Sequence, residues 1–386
     1  MSLALPLAGI RIIEIAGIGP GPFCGMMLAD HGAEVIRIDR AGGLQGGVPI
    51  DGGRDILLRS RRTISLDLKS PAGIEIVQRL VASVGGLIEG FRPGVMERLG
   101  LGPEALLTIN PGLVYGRMTG WGQDGPLADV PGHDINYIAL TGALDAIGPR
   151  DGAPVPPLNL IGDYAGGGLM LAFGMVSALL AVRRGAPGRV VDCAMVDGAS
   201  TLMAGIWSLV SNGWWEGGRG TGLLDGGAPF YDTYPTADGT YVAIGAIEAK
   251  FFARLIELLE LAEDPDFAEQ YDRSRWDAMR AKFRACFLSH SQDHWLALLG
   301  DEDVCFAPVL PMTQAPDHPH NQARKNFLEV GGITQPGAAP RYSGTEPVLP
   351  WMWRQDADKD ALLRELGFDA ADTDRLQREG AFGSPD

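Results

Sequence analysis

The sequence predicts an α/β fold, in which a parallel sheet with helices on both faces is followed by a smaller α+β domain. Three observations carry this. Apolar runs of strand length alternate with helical patterns over residues 1–200, and such alternation builds βαβ units around a parallel sheet. Composition then shifts near residue 200, where IWSLVSNGWWEGGRGTGLLDGGAP concentrates tryptophan and glycine. Beyond it, YDTYPTADGTYVAIGAI (231–247) reads as a hairpin with ADG at its turn, and helical segments follow.

The elements follow in order. IRIIEIA (10–16) is a strand, GIGPGP (17–22) a turn, FCGMMLADHG a helix and EVIRID (34–39) a second strand. Ser70-Pro71 pairs an N-cap residue with proline at the first helical position, so a helix runs through IEIVQRLVASV. GLIEGF (86–91) is a strand, PEALLTIN a short helix and LVYGRMTGW (113–121) another strand. Ile135, Ile138, Leu140, Leu144 and Ile147 fit one helix over 133–147 with a buried stripe. GDYAGGGLMLAFGMVSALLAV (162–182) predicts a mostly buried helix. Its first turn holds Gly166, Gly167 and Gly168, which are unfavourable in a helix unless a backbone or ligand comes close. RVVDCAM (189–195) returns as a strand, and FFARLIELLEL and WDAMRAKFRACFL are helices of the smaller domain. The expected boundaries are a large domain at 1–200 completed by 335–386, a linker at 201–230, a small domain at 231–320 and a return linker at 321–334.

Composition narrows the function. The 386 residues are 46% hydrophobic, enough for ample cores. A net charge of −16 argues against nucleic acid as a partner. Residues 1–100 carry eleven Lys/Arg against ten Asp/Glu, which leaves −17 to the remainder. Arg54, Arg59, Arg61, Arg62, Lys69, Arg92 and Arg98 therefore read either as a basic patch that steers an anionic ligand or as a solvated surface balanced by acids. No uninterrupted apolar run reaches about 18 residues, so no membrane span is expected. MSLALPLAGI lacks a basic start, so no signal peptide is expected. Cys24, Cys193, Cys286 and Cys305 have no metal or redox spacing, which predicts reduced thiols in a cytoplasmic protein. His318 and His320 lack a third ligand, and no metal is expected. GIGPGP departs from G-x-G-x-x-G: its third glycine falls one residue early, and its prolines remove backbone donors. NAD is therefore not expected.

Three acid/base candidates stand at element junctions. His133 and Asp134 open one predicted helix, Asp163 opens another, and Glu248 follows the strand YVAIGAI. Each has a plain alternative. Asp163 could be an N-cap, His133 a half-buried imidazole bonded to a carbonyl, and Glu248 an exposed acid favourable to a helix dipole. Taken together they fit proton transfer. A histidine at the head of a helix can take a proton while the N–H of Asp134 steadies the oxyanion, and a second group can return the proton from the opposite face.

The chain is similar over almost its entire length to the α-methylacyl-CoA racemases of the class III CoA-transferase family. The resemblance rests on EIAGIGPGPFCGMMLADHGAEVIRIDR (14–40), RSRRTISLDLKS (59–70), LIEGFRPGVMERLGLGP (87–103), GRMTGWGQDGPL (116–127), GHDINYIALTG (132–142), PPLNLIGDYAGGG (156–168), DGGAPFYDTYPTADGTYVAIGAIE (225–248) and LGFDAADTDRLQREG (366–380). It implies a Rossmann-like large domain and an interlocked homodimer, with each site between the large domain of one chain and the small domain of the other. It implies interconversion of (R) and (S) 2-methyl-branched acyl-CoA thioesters by 1,1-proton transfer through an enolate. No cofactor is needed, because CoA is part of the substrate. His133 and Asp163 match the two bases, and Glu248 matches the glutamate that hydrogen-bonds the histidine. The CoA contacts implied are Arg40, Leu66, Asp67, Leu68, Lys69, Gly90, Phe91, Arg92, Arg98, Gly132, Asn136 and Tyr137. The transferases of the family use the aspartate as a nucleophile and lack the GHDINY histidine. Having both residues favours an isomerase, with a transferase acting through Asp163 as the alternative.

Overall fold

The computed structural model describes residues 3–43 and 51–383. The chain forms two units. One comprises Met1–Thr141, Leu158–Leu202 and Arg324–Asp386, and the other Gly142–Pro157 and Met203–Ala323.

The first unit opens with β1 (Arg11–Ile15), α1 (Pro20–Asp30), β2 (Glu34–Arg40), β3 (Arg61–Leu66), α2 (Pro71–Val81), β4 (Gly86–Glu89), α3 (Val95–Arg98), α4 (Pro103–Ile109) and β5 (Val114–Thr119). It continues through α5 (Asp134–Ala139), a π-helical segment (Leu160–Leu169), α6 (Met170–Arg183), β6 (Arg189–Ala194) and α7 (Met195–Leu202). The strands form one sheet in the order β3-β2-β1-β4-β5-β6, and every pair is parallel. Successive strand residues face opposite layers. Ile12, Val35, Ile88 and Val114 join the core beneath α1 and α6, whereas Ile13, Ile36, Leu87 and Tyr115 join the core beneath α2 and α4. Burial on both faces explains why these strands read as continuous apolar runs rather than alternating ones.

The apolar run of β1 is interrupted by Glu14, which is fully buried. Its carboxylate pairs with Arg37 and, at 3.0 Å, with Arg61. Arg61 also donates to the Pro22 carbonyl at 2.6 Å, tying α1 to the sheet. A Cβ on Gly25 would stand 2.1 Å from the Glu14 carboxylate, so a glycine is needed where α1 crosses this network. Three of the seven basic residues are thereby paired with acids and leave the candidate patch. Arg59 and Arg61 are only 2% and 1% exposed, Arg59 pairs with Asp30, and Arg62 pairs with Glu34 and Glu365. Arg54, Lys69, Arg92 and Arg98 remain exposed.

Two predicted helices differ. The helix expected over 133–147 ends at Ala139. Gly142 takes φ 82°, and Leu140 is exposed, so the apolar spacing beyond it is not a helical stripe. The helix over 162–182 begins as the π-helical segment, and its outer face shows Leu169, Phe173 (72% exposed) and Leu180. The glycine triplet answers to backbone. A Cβ on Gly166 would meet the Ala199 nitrogen at 2.7 Å, and one on Gly168 the Pro20 carbonyl at 2.6 Å. Among the described residues one helix, Leu160–Arg183, is long and apolar enough by length and composition to cross a membrane. It packs on β5, β6, α1 and α7 as a layer of the sheet.

The second unit holds α8 (Ala204–Ser211), β7 (Tyr231–Pro235), β8 (Tyr241–Gly245), α9 (Ala249–Leu258), α10 (Trp276–Phe287), α11 (Gln292–Leu299), β9 (Phe306–Val309) and α12 (Pro319–Ala323). Its three strands are antiparallel in the order β7-β8-β9, over a core rich in aromatics such as Phe230, Tyr234, Phe283 and Trp295. Residues 142–157 belong here, where Arg219 bonds the Asp145 and Gly152 carbonyls at 2.7 and 2.6 Å. The returning chain adds β10 (Phe327–Val330), β11 (Ile333–Pro336), α13 (Lys359–Glu365) and α14 (Ala370–Arg378) to the first unit. It also covers the free edge of β3. The Ser60 N–H donates to the Trp351 carbonyl at 2.8 Å, and the Thr63 N–H to Asp358 at 3.1 Å.

Candidate active site

A cleft of about 520 Å³ opens at the carboxyl ends of β1, β4 and β5. Strand order reverses between β1 and β4, and ligands of doubly wound sheets bind outside such a switch point. The Gly17–Gly21 turn forms one wall, Gly90, Phe91 and Arg92 a second, and Gly132, His133, Asn136, Tyr137 and Asp163 a third.

His133 is the N-cap of α5 and is exposed. Its own N–H donates to Asn136 Oδ1 at 3.0 Å, which fixes the backbone from which the imidazole projects. Tyr137 is wedged behind it. A Cβ on Gly120 or Gly132 would lie 2.2 or 2.7 Å from its ring, its hydroxyl donates to the Gly132 carbonyl, and Trp121 packs edge-on at 4.8 Å.

Asp163 lies inside the π-helical segment rather than at its cap, which is Asn159. π-Helical turns are rare and frequent at functional sites. Asn159 Nδ2 donates to Asp163 Oδ2 at 3.0 Å, and the Asp163 N–H donates to Asp134 Oδ2 at 2.7 Å. The Gly17–Gly21 turn comes so near that a Cβ on Gly19 would be 3.0 Å from the carboxylate. Gly19 has φ 71°, so a side chain there would be both crowded and strained. Burial raises the Asp163 pKa, Asn159 opposes the rise, Asp134 adds to it and His133 lowers it.

The remaining predicted contacts fall outside the cleft lining. Arg40 and Leu66 are the last residues of β2 and β3 and pair in register. Arg40 is exposed and Leu66 buried. The Asp67 carboxylate accepts the Lys69 N–H at 2.9 Å. Leu68 is half-buried and Lys69 exposed. Arg98 ends α3 and is exposed. Asp134 is the buried first residue of α5. Glu248, in the second unit, is the exposed N-cap of α9, and its side chain makes no capping bond. Among the described residues no group of three His, Cys, Asp or Glu is arranged to hold a metal.

Sequence reasoning overlooked Glu89 and Asn159. The signal for Glu89 was present as a lone acid inside GLIEGF. It is 3% exposed, accepts the Phe91 N–H at 2.8 Å and lies 3.4 Å from Arg117. Burial pushes its carboxyl up to about 7, against the Phe91 N–H and Arg117. A carboxyl raised on folding favours the folded state when protonated. Its stabilisation is thus full below about pH 4.5 and is lost as pH rises through 7. Glu89→Gln should remove up to roughly 3 kcal/mol of pH-dependent stability over that window. Urea denaturation at pH 5 and pH 8 checks this, and equal pH dependence in variant and wild type would refute it.

Comparison with other proteins places this geometry. Residues 7–352 match CoA-transferase family III. The alpha-methylacyl-CoA racemase of Mus musculus is 43% identical over 366 residues, spanning 94% of this chain and 93% of that protein. That of Homo sapiens is 41% identical over 369 residues, 94% of each chain. The succinyl-CoA–D-citramalate CoA-transferase of Chloroflexus aurantiacus is 32% identical over 371 residues, 90% of each. Among solved structures, a CAIB/BAIF family protein from Brucella suis superposes with a TM-score of 0.81 at 26% identity, over 94% of this chain and 100% of that one. A match that runs through the sheet, the turn before α1 and both flanks of the cleft has one reading: the chain belongs to CoA-transferase family III.

Proposed function

We propose that the protein is a racemase that interconverts the (R) and (S) forms of 2-methyl-branched acyl-CoA thioesters. The observation that carries this is the placement of His133 and Asp163 on one cleft, an imidazole and a carboxyl that can each take or give a proton. One removes the proton from C2 of the thioester and the other returns a proton to the opposite face. The enolate formed between the two steps needs donors, and the N–H of Asp134 at the start of α5 is assigned that role. Glu248 is assigned to hydrogen-bond the imidazole. Gly132, Asn136 and Tyr137, with Gly90, Phe91 and Arg92, are assigned to the pantetheine and thioester end. Arg40, Arg98 and the stretch Leu66, Asp67, Leu68 and Lys69 are assigned to the phosphate-bearing end. No cofactor beyond the CoA of the substrate is invoked, and the four free cysteines favour a cytoplasmic setting.

The test is one enantiomer of a 2-methylacyl-CoA incubated in D2O. Deuterium should enter C2 as optical purity is lost. Thioester formation on an added free acid without C2 deuterium would instead assign the chain to transfer through Asp163. The presence of Asp163 and a transferase relative keep that reading in view, but His133 on the same cleft favours proton transfer.

Phosphate contacts bind ground and transition states alike. Arg40→Ala and Arg98→Ala should therefore each raise KM about tenfold and leave kcat within about twofold. Unchanged KM in both variants in steady-state kinetics would remove the assignment.

A homodimer completes the proposal. The exposed apolar residues Leu169 at the end of the π-helical segment, Phe173 and Leu180 on α6, and Trp207 on α8 are of the kind that subunit contacts cover. Light scattering should find no stable, active species at the 41.1 kDa of one chain.

A further inference from the structure

The Asp134 carboxylate has no task in the two-base reading, which uses only its N–H. It is 6% exposed. Its Oδ2 accepts the Asp163 N–H at 2.7 Å, while its Oδ1 is buried with no hydrogen-bond partner. A Cβ on Gly162 would lie 2.5 Å from Oδ2, so the residue before Asp163 is a glycine that makes room for this contact. Asp134 is therefore joined by a peptide bond to His133 and by a hydrogen bond to the backbone of Asp163.

A buried carboxylate with one bare oxygen is unfavourable. A neutral side chain of the same shape would supply the same acceptor without burying a charge. The charge itself is what distinguishes aspartate here. Negative charge at this depth favours the protonated form of the neighbouring Asp163 carboxyl. Burial of Asp163 acts in the same direction, and the Asn159 hydrogen bond and His133 act against it. From α5 come His133 and Tyr137, and from the segment's own start comes Asn159. The turn before α1 offers only Gly19. On the α7 side the packing is by Gly198 and Ala199, and Asp197 is exposed.

We propose that the Asp134 side chain is a positioning residue whose hydrogen bond fixes Asp163 relative to His133 and whose buried charge favours the protonated Asp163 carboxyl. This rests on the two-base reading above for its catalytic consequence, though not for its chemistry. Asp134→Asn keeps an acceptor toward the Asp163 N–H and removes the charge. The Asp163 carboxyl, followed by carbon-13 NMR of aspartate-labelled enzyme and assigned by its absence from Asp163→Asn, should titrate about one unit lower in Asp134→Asn. The limb of the kcat/KM–pH profile for C2 exchange that Asp163 sets should move down. Gly162→Ala, which pushes the carboxylate aside, should lower the same titration if the Asn variant does not fold. An Asp163 titration that is unmoved or raised in a folded variant overturns the proposal, as does a pH profile that loses height without shifting. Absence of C2 exchange in the wild-type enzyme would instead overturn the racemase reading, and the NMR titration, which needs no substrate, still decides the role of Asp134.

Discussion

His133→Ala should lower racemisation by about 10²–10⁴-fold, the usual contribution of one positioned acid/base group, and Asp163→Ala should do the same. The informative result is what each variant keeps. In His133→Ala, Asp163 still faces C2 from its own side. It can exchange the proton of one enantiomer with solvent and return a deuteron to the same face. That enantiomer should acquire deuterium in D2O with its configuration retained, while the other remains unlabelled. Asp163→Ala should show the mirror pattern. Mass spectrometry with chiral analysis of the recovered thioester reads both at once. The asymmetry follows from the site, where the two groups lie on one cleft but on separate elements, α5 and the π-helical segment. A His133→Ala enzyme that racemises near the wild-type rate would sink the two-base mechanism and leave Asp163 as the acting group.

The second large effect is on stability. Glu14→Ala should destabilise the first unit by about 3–5 kcal/mol, because it removes the one carboxylate that pairs with both buried guanidinium groups, Arg37 and Arg61. The melting temperature should fall on the order of 10 °C. Glu34→Ala is the control. Glu34 pairs with Arg11 and Arg62, but its side chain is 36% exposed, and such pairs are worth under about 1 kcal/mol. Thermal unfolding of both variants separates the cases. A Glu14→Ala protein that melts within about 2 °C of wild type would mean that the buried arginines are satisfied without it. Activity should fall as well, since Arg61 holds the Pro22 carbonyl and so anchors α1, whose leading turn walls the cleft.

Most of the sheet was legible. β1, β2, β4 and β5 are apolar runs because both of their faces are buried, and the turns between them carry glycine and proline. β3 was not legible. RRTISL begins with two arginines, and nothing local reveals that one is buried against Glu14 and the other paired with Glu34 and Glu365. The same blindness counted Arg59 and Arg61, which are interior, among the residues of a candidate basic patch. The helix over 133–147 failed for a related reason: apolar spacing continues past Ala139, but Gly142 breaks the backbone and the later residues pack within the second unit.

By itself, the sequence determined the α/β class, the resemblance that leads to the family, and the candidacy of His133 and Asp163, since periodicity and motif are properties of neighbouring residues. Only the tertiary structure decided which charges are interior and which are free. It alone buried Glu89 in the cleft wall against Arg117, and it alone showed that the carboxylate of Asp134 accepts the N–H of Asp163. The reason is physical. Burial, desolvation and hydrogen bonding between residues 29 positions apart depend on how elements pack, and a linear pattern carries no record of which groups that packing will bring together.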